Sequence, residues 1–431
     1  MKLPLQNIKI VDFSRLLPGP WCTQFLSDLG AEVIKIEAPH TGDGSRHNSP
    51  KVDDVSVYFT GVNGGKKSIA LDLTDEGDLA IAQRLIENAD VVVESFRPGL
   101  AAKLGIGYDT AKSLSSDIVY CSITGFGQTG PLAHISGHDL AIQCQTGVLG
   151  VAAKDGVPPQ MPHFQAADFA GANVACIGIL SALLRRHTTG EGCYLDISMF
   201  DSLFSMSNIA LTGALADAAK TDDPNRLEVW GGNPRYAIYG TKDGKSVAVA
   251  LLEPRLWKGF CHAIGRDDLI NENESTHDRL SNHGDLAEVY RKTISDYCLA
   301  HSRDDIIDLM EAKGVPITPV LSPGEALHSE NVKGRGLLDP VAFKDNPQVP
   351  HVTNPLACTG LAAPTRGRAP ALNGDAPAIL ADLVGRQIVH IGQALFDQVP
   401  GPGIELLEIV RREEQPLTPV EAEPFDVGVD R

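Results

Sequence analysis

Val- and Ile-rich runs alternate with amphipathic runs through the first third of the chain, and this alternation constrains the fold more than any other feature. Strands that alternate with helices form parallel sheets with right-handed crossovers. We predict strands over residues 8–12, 31–36, 67–73, 90–94 and 118–124. Helices are predicted over 21–29 and 75–89, the second capped by Thr74. The sequence therefore predicts an open α/β domain.

The segment from residue 117 to 187 contains the residues best suited to chemistry. His138 lies between Gly137 and Asp139 at a predicted helix start, and Asp168 begins a long apolar helix over 168–187. A histidine and a carboxylate, each near a helix N-terminus, suit proton transfer. Both also have a structural explanation, because an Asp at a helix start is commonly a cap worth ~1 kcal/mol.

The second half of the chain predicts a smaller α+β domain. A polar linker at 221–228 follows a predicted helix over 199–218, and Asp243-Gly244 between apolar runs predicts a hairpin. The predicted organisation is a large domain (1–215), a small domain (225–325), a return to the large domain (326–386, with a strand at 342–343) and a C-terminal extension, 387–431. The extension is acidic and Pro-containing, so we expect it to be partly disordered.

Two stretches resemble phosphate-binding motifs and fail the test of context. Gly125-Phe126-Gly127-Gln128-Thr129-Gly130 matches the dinucleotide fingerprint, but Pro131 follows it and no amphipathic helix does. Residues 63–68 place a turn before a strand, which is the reverse of a phosphate loop. Arg97 and Lys103, beyond the end of another strand, remain candidates for holding a phosphorylated ligand.

Charge and cysteine usage restrict partners and location. A net charge of −18 argues against nucleic acid as the main partner, since no positive field attracts phosphates. The eight cysteines include no Cys-x-x-Cys pair, and several lie in apolar runs, which is typical of buried free thiols in a reducing cytosol. No uninterrupted apolar run reaches ~18 residues. We expect a cytoplasmic protein without a membrane partner.

Several ordered motifs together resemble the family III CoA-transferase superfamily, and within it the alpha-methylacyl-CoA racemases. They begin with Asp12-Phe13-Ser14 and Pro18-Gly19-Pro20, continue through the run from Leu29 to Glu37 and the run from Gly65 to Leu73, and include Phe96-Arg97-Pro98-Gly99. The match ends with the run from Thr124 to Pro131, Gly137-His138-Asp139 and Ala167-Asp168-Phe169. The resemblance covers roughly residues 4 to 385.

The resemblance implies a Rossmann-like large domain, a small domain and an interlocked homodimer. Asp168 would occupy the superfamily's catalytic position, with His138 as a second acid/base group and Glu253 supporting that histidine. The substrate would be an acyl-CoA thioester, with no metal or other cofactor. Implied CoA-binding residues are Leu71, Asp72, Leu73, Ser95, Phe96, Arg97, Lys103, Gly137 and Asp139.

Two reactions remain open within this resemblance. A racemase or epimerase would invert the carbon alpha to the thioester of a 2-methyl-branched or 2-aryl acyl-CoA through an enolate. A transferase would move CoA between carboxylic acids through an aspartyl-CoA intermediate at Asp168. Many transferases carry an aromatic residue where His138 stands, which favours the racemase. A non-catalytic acyl-CoA-binding protein is a third reading.

The chain departs from the family pattern just after the second strand. An arginine there contacts CoA in the racemases and formyl-CoA transferases, whereas this chain has Ala38. Arg46 or Lys66 are candidates to replace it.

Overall fold

The computed structural model describes residues 2–152, 157–220, 232–276, 283–339 and 351–385, in which the chain alternates strands and helices. The strands are β1 (Lys9–Asp12), β2 (Glu32–Glu37), β3 (Lys51–Val52), β4 (Val55–Ser56), β5 (Lys67–Ala70), β6 (Val91–Glu94), β7 (Val119–Thr124), β8 (Cys193–Ser198), β9 (Tyr236–Gly240), β10 (Ser246–Ala250), β11 (Ile317–Pro319), β12 (Leu338–Asp339) and β13 (His351–Val352).

The α-helices connect these strands or pack on the sheets they form. They are α1 (Pro18–Asp28), α2 (Val57–Asn63), α3 (Glu76–Glu87), α4 (Leu100–Lys103), α5 (Tyr108–Leu114), α6 (Asp139–Gln145), α7 (Ala166–Thr189), α8 (Met199–Met206), α9 (Thr212–Ala218), α10 (Pro254–Ile264), α11 (Leu286–Ala300), α12 (Arg303–Ala312), α13 (Pro323–Leu327), α14 (Glu330–Gly334) and α15 (Ala376–Gly385). The chain forms two compact units, Met1–Ala376 and Pro377–Arg431.

Six strands form the main sheet of the first unit, in the order β5-β2-β1-β6-β7-β8. Every neighbouring pair is parallel, with Val11 opposite Ile34 in β2 and Val92 in β6. All four residues of β6 are buried, as expected for a strand covered on both faces. The predicted α/β class with a parallel sheet is confirmed.

Helix α7 is the central helix on one face of this sheet. Its small residues allow close packing: a Cβ on Gly171 would lie 2.8 Å from Met199 Cγ at the start of α8. The helix is long and apolar enough to cross a membrane by length and composition, a property shared by core helices of water-soluble proteins. Eight of its residues are buried, and seven of them belong to the hydrophobic core that includes residues of β7 and α1.

A second, antiparallel sheet has the order β11-β10-β9. The predicted hairpin is present, with Val247 opposite Tyr239 and Asp243-Gly244 in its turn. Its buried face joins α10, α11 and α12 in a hydrophobic cluster around Trp257, Phe260 and Ile294. The bounds of the two domains remain a prediction.

The segment from residue 351 to 375 lies along the β5 side of the main sheet. Ser68 N in β5 donates to Asp375 Oδ2 (2.9 Å), and Ala70 N donates to Asn373 Oδ1 (2.9 Å). The buried Arg366 guanidinium pairs with Asp28 at the end of α1. The last described part of the first unit is thus bonded to its first elements.

Two local predictions are wrong. Asp75, rather than Thr74, caps α3, because its carboxylate accepts the backbone N–H groups of Gly77 and Asp78. The predicted single helix over 199–218 is divided into α8 and α9. The linker at 221–228, the strand at 342–343 and the extension at 387–431 lie outside the described residues.

Candidate active site

A cavity lies where the order of the main sheet reverses, between β1 and β6. Strands β2 and β5 follow β1 on one side, and β7 and β8 follow β6 on the other, so the loops after β1 and β6 diverge. Ligands of open α/β sheets bind at this switch point. The cavity has a volume of about 540 Å³. Its walls include Arg15 to Pro18, Ser95 to Pro98, Thr124 to Phe126, Ser136 to His138, Tyr58, Asp168 and Met199.

Asp168 lines this cavity, and among the described residues no cation forms an ion pair with its carboxylate. It lies in the first turn of α7 and is half-buried. Burial, and secondarily the charge of Asp139, raise its pKa from 3.8 to about 7. The buried Asp12 and Asp43 show the opposite behaviour, because lysine partners outweigh burial and lower the pKa of each carboxyl. A carboxyl with a pKa near 7 exchanges protons readily at neutral pH.

Asp139 holds the first turn of α7 from outside the helix. Its Oδ1 accepts the backbone N–H groups of Ala167 (2.8 Å) and Asp168 (3.3 Å), and its Oδ2 accepts from Gln143 Nε2 (2.6 Å). The side chain therefore caps α7 and contributes a negative charge behind Asp168. Its predicted contact with CoA stays a prediction, since Asp139 does not line the cavity.

His138 lines the cavity together with Asp168, as its position next to Gly137 predicted. It is the N-cap residue of α6 but makes no side-chain capping bond, and the imidazole is exposed. The side chain therefore has no capping role, and its predicted part in catalysis stays a prediction. Gly137 brings the loop close to Phe126, since a Cβ there would lie 2.7 Å from that ring.

Tyr58, in the first turn of α2, is a wall residue that the sequence did not suggest. Burial, and then the charge of Asp168, raise the pKa of its phenol to about 12. The hydroxyl therefore stays protonated at neutral pH and can donate a hydrogen bond into the cavity. No motif surrounds Tyr58, so only its position in space identifies it.

Glu94, the last residue of β6, accepts a hydrogen bond from the loop that follows this strand. Its Oε2 accepts the backbone N–H of Phe96 (2.7 Å), which fixes the turn containing the predicted Ser95, Phe96 and Arg97. Burial raises the pKa of Glu94, although Ser122 and the Phe96 amide lower it in part. All three turn residues line the large cavity, so the structure places them beside His138 and Asp168.

A smaller cavity of about 200 Å³ lies on the β2 and β5 side of the switch point. The predicted Leu71, Asp72 and Leu73 form one wall, and Phe96 and Arg15 line both cavities. Ala38, which replaces the family arginine, also lines it.

Neither proposed replacement for that arginine has a free charge. Arg46 donates to both Glu37 oxygens (2.7 Å each), and its guanidinium lies 3.8 Å from the centroid of the Phe59 ring. Lys66 is buried and donates to Thr23 Oγ1 (2.7 Å). Burial lowers the pKa of Lys66 to about 8, partly offset by the nearby Asp12. Both cations are thus engaged by groups of the protein itself.

Besides Asp139, two predicted site residues line neither cavity. Glu253 is the N-cap residue of α10 beside the antiparallel sheet, and Lys103 ends α4. Their roles stay predictions. In the ranges that the structure describes, no group of three or more His, Cys, Asp or Glu side chains has the arrangement of a metal site.

With the sheet and its site described, comparison with known proteins identifies the family. The chain belongs to CoA-transferase family III, whose family model matches residues 5–376. It is similar to the acetyl-CoA:oxalate CoA-transferase of Acetobacter aceti, with 34% identity over 345 residues, which cover 78% of this chain and 86% of that protein.

Two further similarities concern the reaction and the fold. The alpha-methylacyl-CoA racemase of Homo sapiens is 31% identical over 338 residues, covering 78% of this chain and 82% of that protein. The crystal structure of a CaiB/BaiF family protein from Brucella suis superimposes with a TM-score of 0.76 and 30% identity, covering 89% of this chain and all of that one. The resemblance to this superfamily is therefore confirmed, and the choice of reaction rests on the site.

Proposed function

We propose that the protein is an acyl-CoA racemase or epimerase that inverts the carbon alpha to the thioester of a 2-methyl-branched or 2-aryl acyl-CoA. The observation that carries this proposal is the placement of His138 and Asp168 on one cavity. An inversion needs one group to remove a proton from one face of the carbon and another to return a proton to the opposite face.

The charge state of Asp168 suits such a reaction. With a pKa near 7, the carboxyl is both protonated and ionised in comparable amounts at neutral pH. For one enantiomer, the Asp168 carboxylate would remove the alpha proton and a protonated His138 would deliver a proton to the opposite face. For the other enantiomer, neutral His138 would be the base and protonated Asp168 the acid. The enolate oxygen needs a hydrogen-bond donor, and the neutral Tyr58 hydroxyl is available. The reaction uses no cofactor other than the CoA of its substrate.

A homodimer would explain the position of Glu253. This residue lies outside the cavity of its own chain, so a glutamate that supports His138 would have to come from a second copy. The interlocked dimer implied by the family resemblance allows this arrangement. A dimeric, cytoplasmic enzyme with an acyl-CoA substrate and no nucleic-acid or membrane partner is our proposal.

Transfer of CoA between carboxylic acids is the second candidate. The acetyl-CoA:oxalate CoA-transferase at 34% identity favours it. Ionised Asp168 would attack the thioester carbonyl carbon and release CoA as thiolate, forming a mixed anhydride. The thiolate would then attack the aspartyl carbonyl and release the first carboxylate, leaving aspartyl-CoA. His138 has no required part in this sequence.

Isotope exchange distinguishes the two reactions. A racemase should exchange the alpha hydrogen of (2R)- or (2S)-2-methylacyl-CoA in deuterated water and invert the centre, as measured by mass spectrometry and chiral chromatography. His138→Ala should abolish inversion and leave exchange only for the enantiomer that Asp168 deprotonates, while His187→Ala, at an exposed histidine at the end of α7, should leave both unchanged.

A transferase predicts the opposite pattern. Wild-type protein would show no exchange across a panel of acyl chains but would form a hydroxylamine-sensitive adduct at Asp168, and His138→Ala would retain most of that reactivity. This pattern would refute the racemase.

A further inference from the structure

One side chain, that of Arg15, connects the two cavities. Arg15 and Phe96 line both of them. The guanidinium carbon lies 5.6 Å from the centroid of the Phe96 ring, and the backbone N–H of Arg15 donates to Ser95 Oγ (3.1 Å). These contacts hold an exposed cation where the loops after β1 and β6 meet.

Two other cations near the smaller cavity, Lys35 and Arg46, already have carboxylate partners. Lys35 Nζ lies 2.9 Å from Asp43 Oδ2 and donates to the carbonyl of Ser14 (2.7 Å). Arg46 is held by Glu37. Arg15 is an exception, because among the described residues no carboxylate forms an ion pair with it. Its charge is therefore available to a ligand.

The far wall of the smaller cavity has the opposite character. Asp72 is exposed, and the Thr74 hydroxyl and amide lower its pKa by donating to its Oδ1. An ionised carboxylate repels phosphate and accepts hydrogen bonds from hydroxyl or amino groups. The smaller cavity thus suits the uncharged adenine and ribose groups of a nucleotide, with its anionic group at the junction.

We infer that Arg15 binds the diphosphate of a CoA ligand that spans both cavities, with adenine in the smaller one and the thioester in the larger one. This inference rests on the proposed function only for the identity of the ligand. The planar guanidinium offers parallel N–H groups that match phosphate oxygens. In a chain with a net charge of −18, a phosphate group requires such a local cation. Arg15 thus supplies the charge that Ala38 lacks.

Direct binding tests this assignment without depending on turnover. Isothermal titration would measure the affinities of CoA, 3′-dephospho-CoA and adenosine for wild type and variants. Arg15→Gln should weaken CoA and 3′-dephospho-CoA by the same factor, about tenfold to a hundredfold, and leave adenosine unchanged. Arg15→Lys should recover part of the lost affinity, since lysine keeps the positive charge but lacks the parallel N–H groups of the guanidinium.

Arg185→Gln is the matched control. Arg185 is an exposed guanidinium near the end of α7 that pairs with Glu191, so its removal changes the net charge equally and should leave CoA affinity unchanged. If Arg15→Gln binds CoA as tightly as wild type, the role of Arg15 is refuted, but the proposed acyl-CoA function is not. A loss of affinity for CoA but not for 3′-dephospho-CoA would also refute this role, because it would assign Arg15 to the 3′-phosphate. A wild-type chain that does not bind CoA would overturn the acyl-CoA function as well.

Discussion

Replacing Asp168 by Asn should stabilise the folded protein at pH 8. The folded environment raises the pKa of this carboxyl from 3.8 to about 7, so folding is disfavoured whenever the group must ionise. A folded state that binds the proton more tightly than the unfolded state loses stability as pH rises from about 4 to 7, and the loss is complete above that range. Asn keeps the shape of the protonated acid and removes this penalty.

The size of the effect follows from the shift. A pKa change from 3.8 to about 7, at 1.36 kcal/mol per pH unit, gives a stabilisation of the variant by about 4 kcal/mol at pH 8. At pH 4 the carboxyl is only partly ionised even in the unfolded chain, so the stabilisation is about 0.5 kcal/mol. An unfolding entropy of ~2.1 cal/mol/K per residue over the unit Met1–Ala376 is about 0.8 kcal/mol/K. The variant should therefore melt about 5 °C above wild type at pH 8, and within about 1 °C of it at pH 4.

Thermal unfolding at equal protein concentration, across this pH range, measures the difference. Asp308→Asn, at an exposed position of α12, controls for the loss of a carboxylate without burial. A Tm difference between Asp168→Asn and wild type that does not grow with pH would refute the reasoning. So would a variant that is less stable than wild type at pH 8.

Three further substitutions test neighbouring parts of the structure. Asp139→Asn keeps an oxygen for the cap of α7 but removes a charge that raises the pKa of Asp168. The acidic limb of the pH profile of isotope exchange should therefore move to lower pH, and an upward shift would contradict this. Arg366→Met leaves Asp28 buried without its guanidinium and should lower stability by about 3–5 kcal/mol, measured by urea unfolding, and an unchanged midpoint would contradict it. Gly192→Ala would place a Cβ 2.2 Å from a backbone oxygen at the start of β7, so soluble yield should fall sharply, and a normal yield with wild-type Tm would contradict this packing.

Local patterns predicted much of the fold. The Val- and Ile-rich strands and the long helix after Gln165 follow from periodicity and side-chain size, and the parallel sheet follows from their alternation. The N-cap residue of α3 was harder to predict, because Thr74 and Asp75 are both good capping residues and only the backbone geometry selects Asp75. Residues 207–211, which separate α8 from α9, include no Gly or Pro, so helix propensity alone did not predict this break.

Some site residues could likewise be predicted from local sequence, and others only from the folded structure. His138 and Asp168 were found because each lies in a recognisable local motif. Tyr58 and Arg15 belong to the site through the shape of the folded chain, which brings loops separated by dozens of residues together. The ion pair between Arg46 and Glu37 is likewise visible only in the folded structure, and it shows that this guanidinium already has a carboxylate partner.

The bond between Arg366 and Asp28 has a consequence for synthesis of the protein. Asp28 is synthesised before its guanidinium partner, which lies 338 residues further along the chain. Until that partner emerges, the carboxylate at the end of α1 would be an uncompensated charge if buried, so we expect the nascent sheet to keep this edge hydrated. We therefore expect the end of α1 to reach its final packing only after residue 366 has been synthesised, and a chain truncated before residue 366 to remain open along β5.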